Sequence, residues 1–196
     1  YLTQTRSARE NWNGPEMIVN LPVQHHIVRE TNGTGGLDPN DIPIIMGIMN
    51  TYYANANISF FDCGTINYID NSSYYNFDQS QESAVCGAND VANVINIYYF
   101  NSVGNGSSSY CGYAYFPGGP DRIIMNNACA LNGSTLTHEL GHYLSLYHTH
   151  QGSTGSNPEL VNGSNCTTAG DQLCDTPADP TLSTSTVNIS CVYTGT

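Results

Sequence analysis

Residues 134–150 read Ser-Thr-Leu-Thr-His-Glu-Leu-Gly-His-Tyr-Leu-Ser-Leu-Tyr-His-Thr-His, and the reading of the whole chain turns on this stretch. His138 and His142 are four residues apart, so on an α-helix both imidazoles face the same way, one turn above the other. Two such histidines form half of a zinc site, and Glu139 between them is placed as a general base. Leu136, Leu140, Tyr143 and Leu144 recur at helical spacing, and Ser134 or Thr135 can cap the start.

His148 lies six residues beyond His142. A continuing helix would turn it by about 240° away from the other two. It joins them only if the helix ends near residue 144 and the chain bends back. The full pattern, H-E-x-x-H-x-x-S-x-x-H, resembles the zinc-binding segment of the metzincins, with Ser145 where glycine is usual. The bend calls for a left-handed backbone, which a serine adopts at a cost of roughly 1 kcal/mol relative to glycine.

Composition narrows the partners. The chain has 196 residues, enough for one domain with a sizeable core. It has no lysine. Its basic side chains are Arg6, Arg9, Arg29 and Arg122, and the net charge is -12. Nucleic acid and anionic membrane are therefore poor partners, and a cationic peptide or a metal cation fits better; the acidity equally reads as a device for solubility. No apolar run reaches the length of a membrane span. Seven cysteines (Cys63, Cys86, Cys111, Cys129, Cys166, Cys174, Cys191) occur without CxxC pairs, which points to disulfides in an oxidising compartment and leaves one thiol over. The polar opening residues lack a secretion signal, so the expectation is a mature, exported chain. Sequons such as those at Asn32, Asn71 and Asn132 are read as a by-product of an Asn- and Ser-rich composition.

Working outward along the chain, residues 1–18 read as an irregular lead with Trp12 as an anchor. Leu21–Val28 reads as a strand, and the adjacent His25 and His26 must point to opposite faces, so they are taken as ordinary strand residues. Thr31–Gly36 is a turn. A helix begins at Asp38 or Asn40 and runs to about Ala56, with Ile44, Ile45, Ile48, Met49 and Tyr52 as its apolar stripe. Ile58–Asp62, Ile66–Ile69, Val94–Val103, Tyr110–Pro117 and Arg122–Asn126 are strands, and residues 70–90 read as loop. Pro117-Gly-Gly-Pro120 marks the fourth of these strands as an edge, which either packs plainly on the core or pairs with an extended peptide. Residues 151–196 show little periodicity and carry three of the seven cysteines.

His138-Glu139-Leu140-Gly141-His142 with His148, then Gly170-Asp171 and Asp175-Thr176-Pro177, resembles the pappalysin family of metzincin metallopeptidases. The strand–helix–strand order and Gly112-Tyr113-Ala114 ahead of the active helix are also similar. The resemblance implies an α+β fold: a twisted mixed sheet with a backing helix and an active-site helix, α/β-like over residues 1–148, then an irregular, disulfide-stapled subdomain over residues 149–196. It implies zinc on His138, His142 and His148, Glu139 as catalytic base, a structural calcium at Asp171, Asp175 and Thr176, and Gly112, Tyr113, Ala114 and Tyr115 as the rim of the substrate cleft. The implied activity is that of a secreted endopeptidase preferring basic residues after the cut. The family also has a methionine-containing turn after the third histidine. Met17, Met46, Met49 and Met125 all lie upstream, so residues 1–196 are expected to be an incomplete catalytic domain, with Cys174 or Cys191 pairing beyond it. The competing reading is a non-catalytic extracellular binding domain stabilised by zinc or calcium. It would need a fourth protein ligand, for which His150 is the nearest candidate.

Overall fold

In the computed structural model, residues 17–180, 185–190 and 192 are described. Trp12 and Cys191 lie outside them. By internal contacts the chain parts into two compact units. One comprises residues 1–113 and 121–137, and the other residues 114–120 and 138–196. The last boundary between them along the chain falls between Thr137 and His138.

The first unit is built on β1 (Val19–Arg29), an eleven-residue strand buried from Val23 to Val28. Helix α1 (Ile42–Tyr53) carries the chain back so that β2 (Ile58–Asp62) pairs with the first half of β1 in parallel. β3 (Asn67–Asp70) pairs in parallel with the second half. On the other side of β1 lies β5 (Ile95–Phe100), every residue of which is buried. It is followed in the sheet by β9 (Arg122–Asn126), again parallel. The β8 strand (Gly112–Ala114) forms the outer edge. Buried, apolar strands flanked by parallel neighbours are what a sheet covered on both faces requires. The class is α+β, as expected.

Three expectations are corrected. The buried face of α1 is Ile42, Ile45, Met46 and Met49, whereas Ile44 and Tyr52 are 54% and 62% exposed. The helix is apolar nearly all round, so periodicity alone does not select the inward stripe. Residues 70–90 are no loop. They hold α2 (Ser72–Tyr75), β4 (Asn76–Asp78) and α3 (Glu82–Val85). β4 joins a small second sheet with β6 (Ser102–Gly104) and β7 (Ser109–Tyr110). These elements are only two to four residues long, too short for a repeat to register. The 110–117 run breaks into β7 and β8.

The short elements cover one face of the sheet through Phe77, Val85, Cys86, Tyr98, Phe100, Val103 and Ile124. Beneath them sits a buried charge cluster. Arg122 on β9 donates to Glu82 on α3 at 2.9 Å and also to Asp90. The Tyr98 hydroxyl donates to Asp90 at 2.8 Å, and the hydroxyl of Tyr113, on edge strand β8, donates to Glu82 at 2.7 Å. A Cys111–Cys129 disulfide also ties the start of β8 to the segment after β9. Closing a loop of this length contributes about 3 kcal/mol.

His25 and His26 do face opposite ways. The His25 Nε2–H donates to Asp62 at 3.1 Å, while Nδ1 accepts from the Tyr99 hydroxyl at 3.1 Å. His26 stacks on Tyr98 at 4.1 Å, donates to Asn96 and accepts from Asn67. Burial pushes both imidazoles below their ordinary value, His25 to about 4 despite the opposing pull of Asp62. Between pH 6.5 and pH 4 the unfolded chain therefore binds protons that the fold refuses. Stability present above pH 6.5 is lost as the pH falls towards 4. Urea midpoints measured across that window should fall, and His25→Gln should flatten the slope.

Candidate metal centre

Helix α4 (Thr135–Tyr143) starts where the sequence places it, but its first amides are met by an earlier side chain. Asn132 Oδ1 accepts from the N–H groups of Ser134 and Thr135 at 3.1 and 2.9 Å. Leu136 and Leu140 are buried beneath the helix. Tyr53, from the last turn of α1, donates to the Thr137 carbonyl at 2.9 Å. At the other end the helix closes on a left-handed residue. Ser145 has φ 80°, its N–H bonds the His142 carbonyl, and the Leu146 N–H reaches back to the Gly141 carbonyl. This paired 5→2 and 6→1 closure is the Schellman motif, and it produces the bend that the third histidine requires.

The bend returns His148 to the helix. The Nε2 atoms of His138, His142 and His148 stand 3.0, 3.1 and 3.1 Å from one another. The Leu146 carbonyl receives the Nδ1–H of His142 at 2.8 Å. A carbonyl only accepts, so the His142 Nε2 carries a lone pair. Three mutual nitrogen contacts then share at most two ring protons while the imidazoles are neutral, and no arrangement of protons satisfies all three. One cation among three lone pairs does, and bonds of about 2.0–2.1 Å to zinc suit a triangle of this size. Burial, reinforced by the neighbouring imidazoles, holds His138 and His148 below their ordinary pKa, which keeps them neutral donors.

Glu139 sits on the same helix, 8% exposed, and the backbone of Ala114 hydrogen-bonds its carboxylate. Burial pushes its carboxyl above the usual range, while His142 and the Ala114 bond pull the other way. A carboxylate raised toward neutrality is suited to moving a proton.

Residues 78–194 match the sequence model of the peptidase family described as pregnancy-associated plasma protein-A. The chain belongs to this family. Similar proteins include an extracellular metalloprotease of Colletotrichum graminicola, 27% identical in an alignment spanning 179 residues that covers 82% of this chain and 58% of that protein. Another, from Podospora anserina, is 27% identical over 189 residues, 84% of this chain and 58% of the relative. An extracellular metalloprotease of Verticillium alfalfae is 47% identical over 51 residues, 26% of this chain and 14% of the relative. The chain thus spans about three-fifths of the length of the first curated relatives it matches. The solved metalloproteinase-II of Bacteroides fragilis superposes with a TM-score of 0.42 at 16% identity, over 69% of this chain and 45% of that one, too loosely to carry an argument.

Membership of the pappalysin family implies a metal ion, and the histidine triad is the one cluster of three metal-binding side chains among the described residues. His150, the candidate fourth ligand, stacks its ring on His148 at 4.9 Å and lies outside that cluster. Calcium finds no comparable support. Asp171 is buried in an Asx turn, its carboxylate accepting the Leu173 N–H at 2.9 Å. Asp175 is exposed, and among the described residues the histidine triad is the one group of three or more His, Cys, Asp or Glu side chains gathered closely enough to hold an ion. Cys174 is bonded to Cys166, which removes it from the two candidates for a partner elsewhere. Of the rim residues, Gly112, Tyr113 and Ala114 form β8 at the sheet edge, and Tyr115 follows it. Sequence reasoning missed the Leu146 carbonyl on His142 and Phe116, whose ring lies 5.4 Å from that of His142. Neither is marked by a residue pattern: the first depends on how the chain closes after the helix, and the second on a contact between segments far apart in the chain.

Proposed function

We propose that this chain is the catalytic part of an extracellular zinc endopeptidase. The observation that carries the reading is the convergence of three Nε2 atoms within 3.1 Å of one another, on a bent helix whose buried face also presents Glu139. His138, His142 and His148 would hold the ion, and the three-ligand arrangement leaves a coordination position open. A zinc ion bound there supplies an acidified water and polarises the scissile carbonyl.

The chain's own residues do the rest. Leu146 holds His142 in the tautomer whose Nε2 is free. Glu139 takes the proton of the attacking water at its carboxylate and passes it to the leaving amine. The Ala114 contact fixes the carboxylate for both transfers. Gly112 to Tyr115, along and just after the open edge of the sheet, would receive the substrate as an added strand, so that backbone hydrogen bonds position the peptide whatever its side chains. Relatives named as extracellular and two disulfides support action outside the cell. A basic residue after the cut agrees with the net charge of -12 and with the family resemblance.

The test is metal removal. Cleavage of a peptide library by the full-length protein should stop with a zinc chelator and return when about one zinc per chain is restored. Cleavage that survives with no bound metal would overturn the reading.

A further inference from the structure

We infer that Phe116 and Tyr147 form an aromatic subsite beside the metal centre, which takes an apolar side chain of the substrate next to the scissile bond. The inference rests on the peptidase reading above and names a substrate feature that reading leaves open. Both residues belong to the same compact unit as the three histidines. The Phe116 ring centroid lies 5.4 Å from that of His142 and 4.9 Å from that of Tyr147, with tilts of 53° and 38°. The Phe116 ring is thus held by contacts with two others. Its backbone is held as well. The Phe116 carbonyl accepts the Gly119 N–H at 3.0 Å across a turn in which Gly118 has φ 98°. A Cβ on Gly119 would stand 2.7 Å from that of Tyr115, so this turn requires glycine.

Yet Phe116 and Tyr147 are each 41% exposed, and Leu146 between Tyr147 and the bend is 47% exposed. Three large apolar side chains left uncovered beside a polar histidine cluster match the usual make-up of a ligand site, with apolar walls around a few convergent polar groups. A wall of ordered rings loses little freedom when a ligand side chain settles on it. The occupant is an aromatic or large aliphatic residue, because polar side chains would lose water there without finding a partner.

The test uses the full-length protein and peptides varied at two positions on each side of the cut. Wild type should favour Phe, Tyr, Leu or Met over Ser or Asn at one position by roughly tenfold or more in kcat/KM. Phe116→Ala and Tyr147→Ala should each collapse that ratio with zinc content retained, and Phe116→Leu should keep most of it. Calorimetric binding of the same peptides to the chelated protein reads the preference without turnover, and so separates a failure of this inference from a failure of the peptidase reading. No apolar preference at any position in wild type would overturn the subsite. So would a Phe116→Ala protein that sheds zinc while keeping the preference, since that outcome makes the ring a cover for His142 alone.

Discussion

Replacing Glu139 with alanine is expected to lower kcat for peptide cleavage by roughly 10²–10⁴-fold, the range that a positioned general acid–base supplies. KM and zinc content should stay close to wild type. Glu139 lies on the same helix as two of the histidines, but all three nitrogens of the triad are supplied without it. The loss should therefore appear in the chemical step and leave metal binding intact. Burial that raises the Glu139 carboxyl also makes the alanine variant easier to fold, since a desolvated acid is removed. Glu139→Gln keeps the shape and the contact to Ala114 while removing the base, and it should be nearly as inactive. Turnover within a few-fold of wild type in either variant, at equal zinc content, would remove Glu139 from the role.

The second large effect is structural. Arg122→Ala should destabilise the fold by about 3–5 kcal/mol, read as a shift in the denaturant midpoint of the metal-free protein. Arg122 faces Glu82, whose side chain is 8% exposed, and Asp90, whose side chain is 28% exposed. Without the guanidinium two carboxylates share a site poor in water, in a chain with net charge -12 and four basic residues. Truncating one partner strands the other, whereas replacing a buried pair with apolar side chains is often neutral. The double variant Arg122→Met/Glu82→Leu should therefore recover much of the loss. Because Tyr113 donates to Glu82, the damage should extend to edge strand β8, visible as faster amide exchange along Gly112–Ala114. A midpoint for Arg122→Ala that implies less than about 1 kcal/mol would show that the cluster is solvated in solution.

Much of this protein is legible without coordinates wherever one backbone period dominates. The strands at Ile58–Asp62 and Arg122–Asn126 match the sequence reading residue for residue, and the active helix and its end after Tyr143 are placed within a residue or two. The bend at Ser145 follows from a counting argument, because His148 has no other way to meet His138. The short elements between residues 70 and 90 escape that logic. Their order comes from partners far along the chain, such as Arg122 for Glu82 and Val103 for Phe77, and no local repeat encodes it. The inward face of α1 is hidden for the opposite reason: with apolar residues on most sides, several rotations of the helix satisfy the pattern, and contact with the sheet selects one.

By itself the sequence determined the three histidines, their spacing, the carboxylate between the first two and the place where the helix must stop, since these depend on the fixed rise and turn of an α-helix. Only the tertiary structure decided which carbonyl holds His142 in its tautomer, which aromatic rings border the metal centre and which acids surround the buried arginine. The first is set by how the chain closes just after the helix, and the other two by segments distant in the chain but close in space, where burial and hydrogen-bond satisfaction outweigh any local preference.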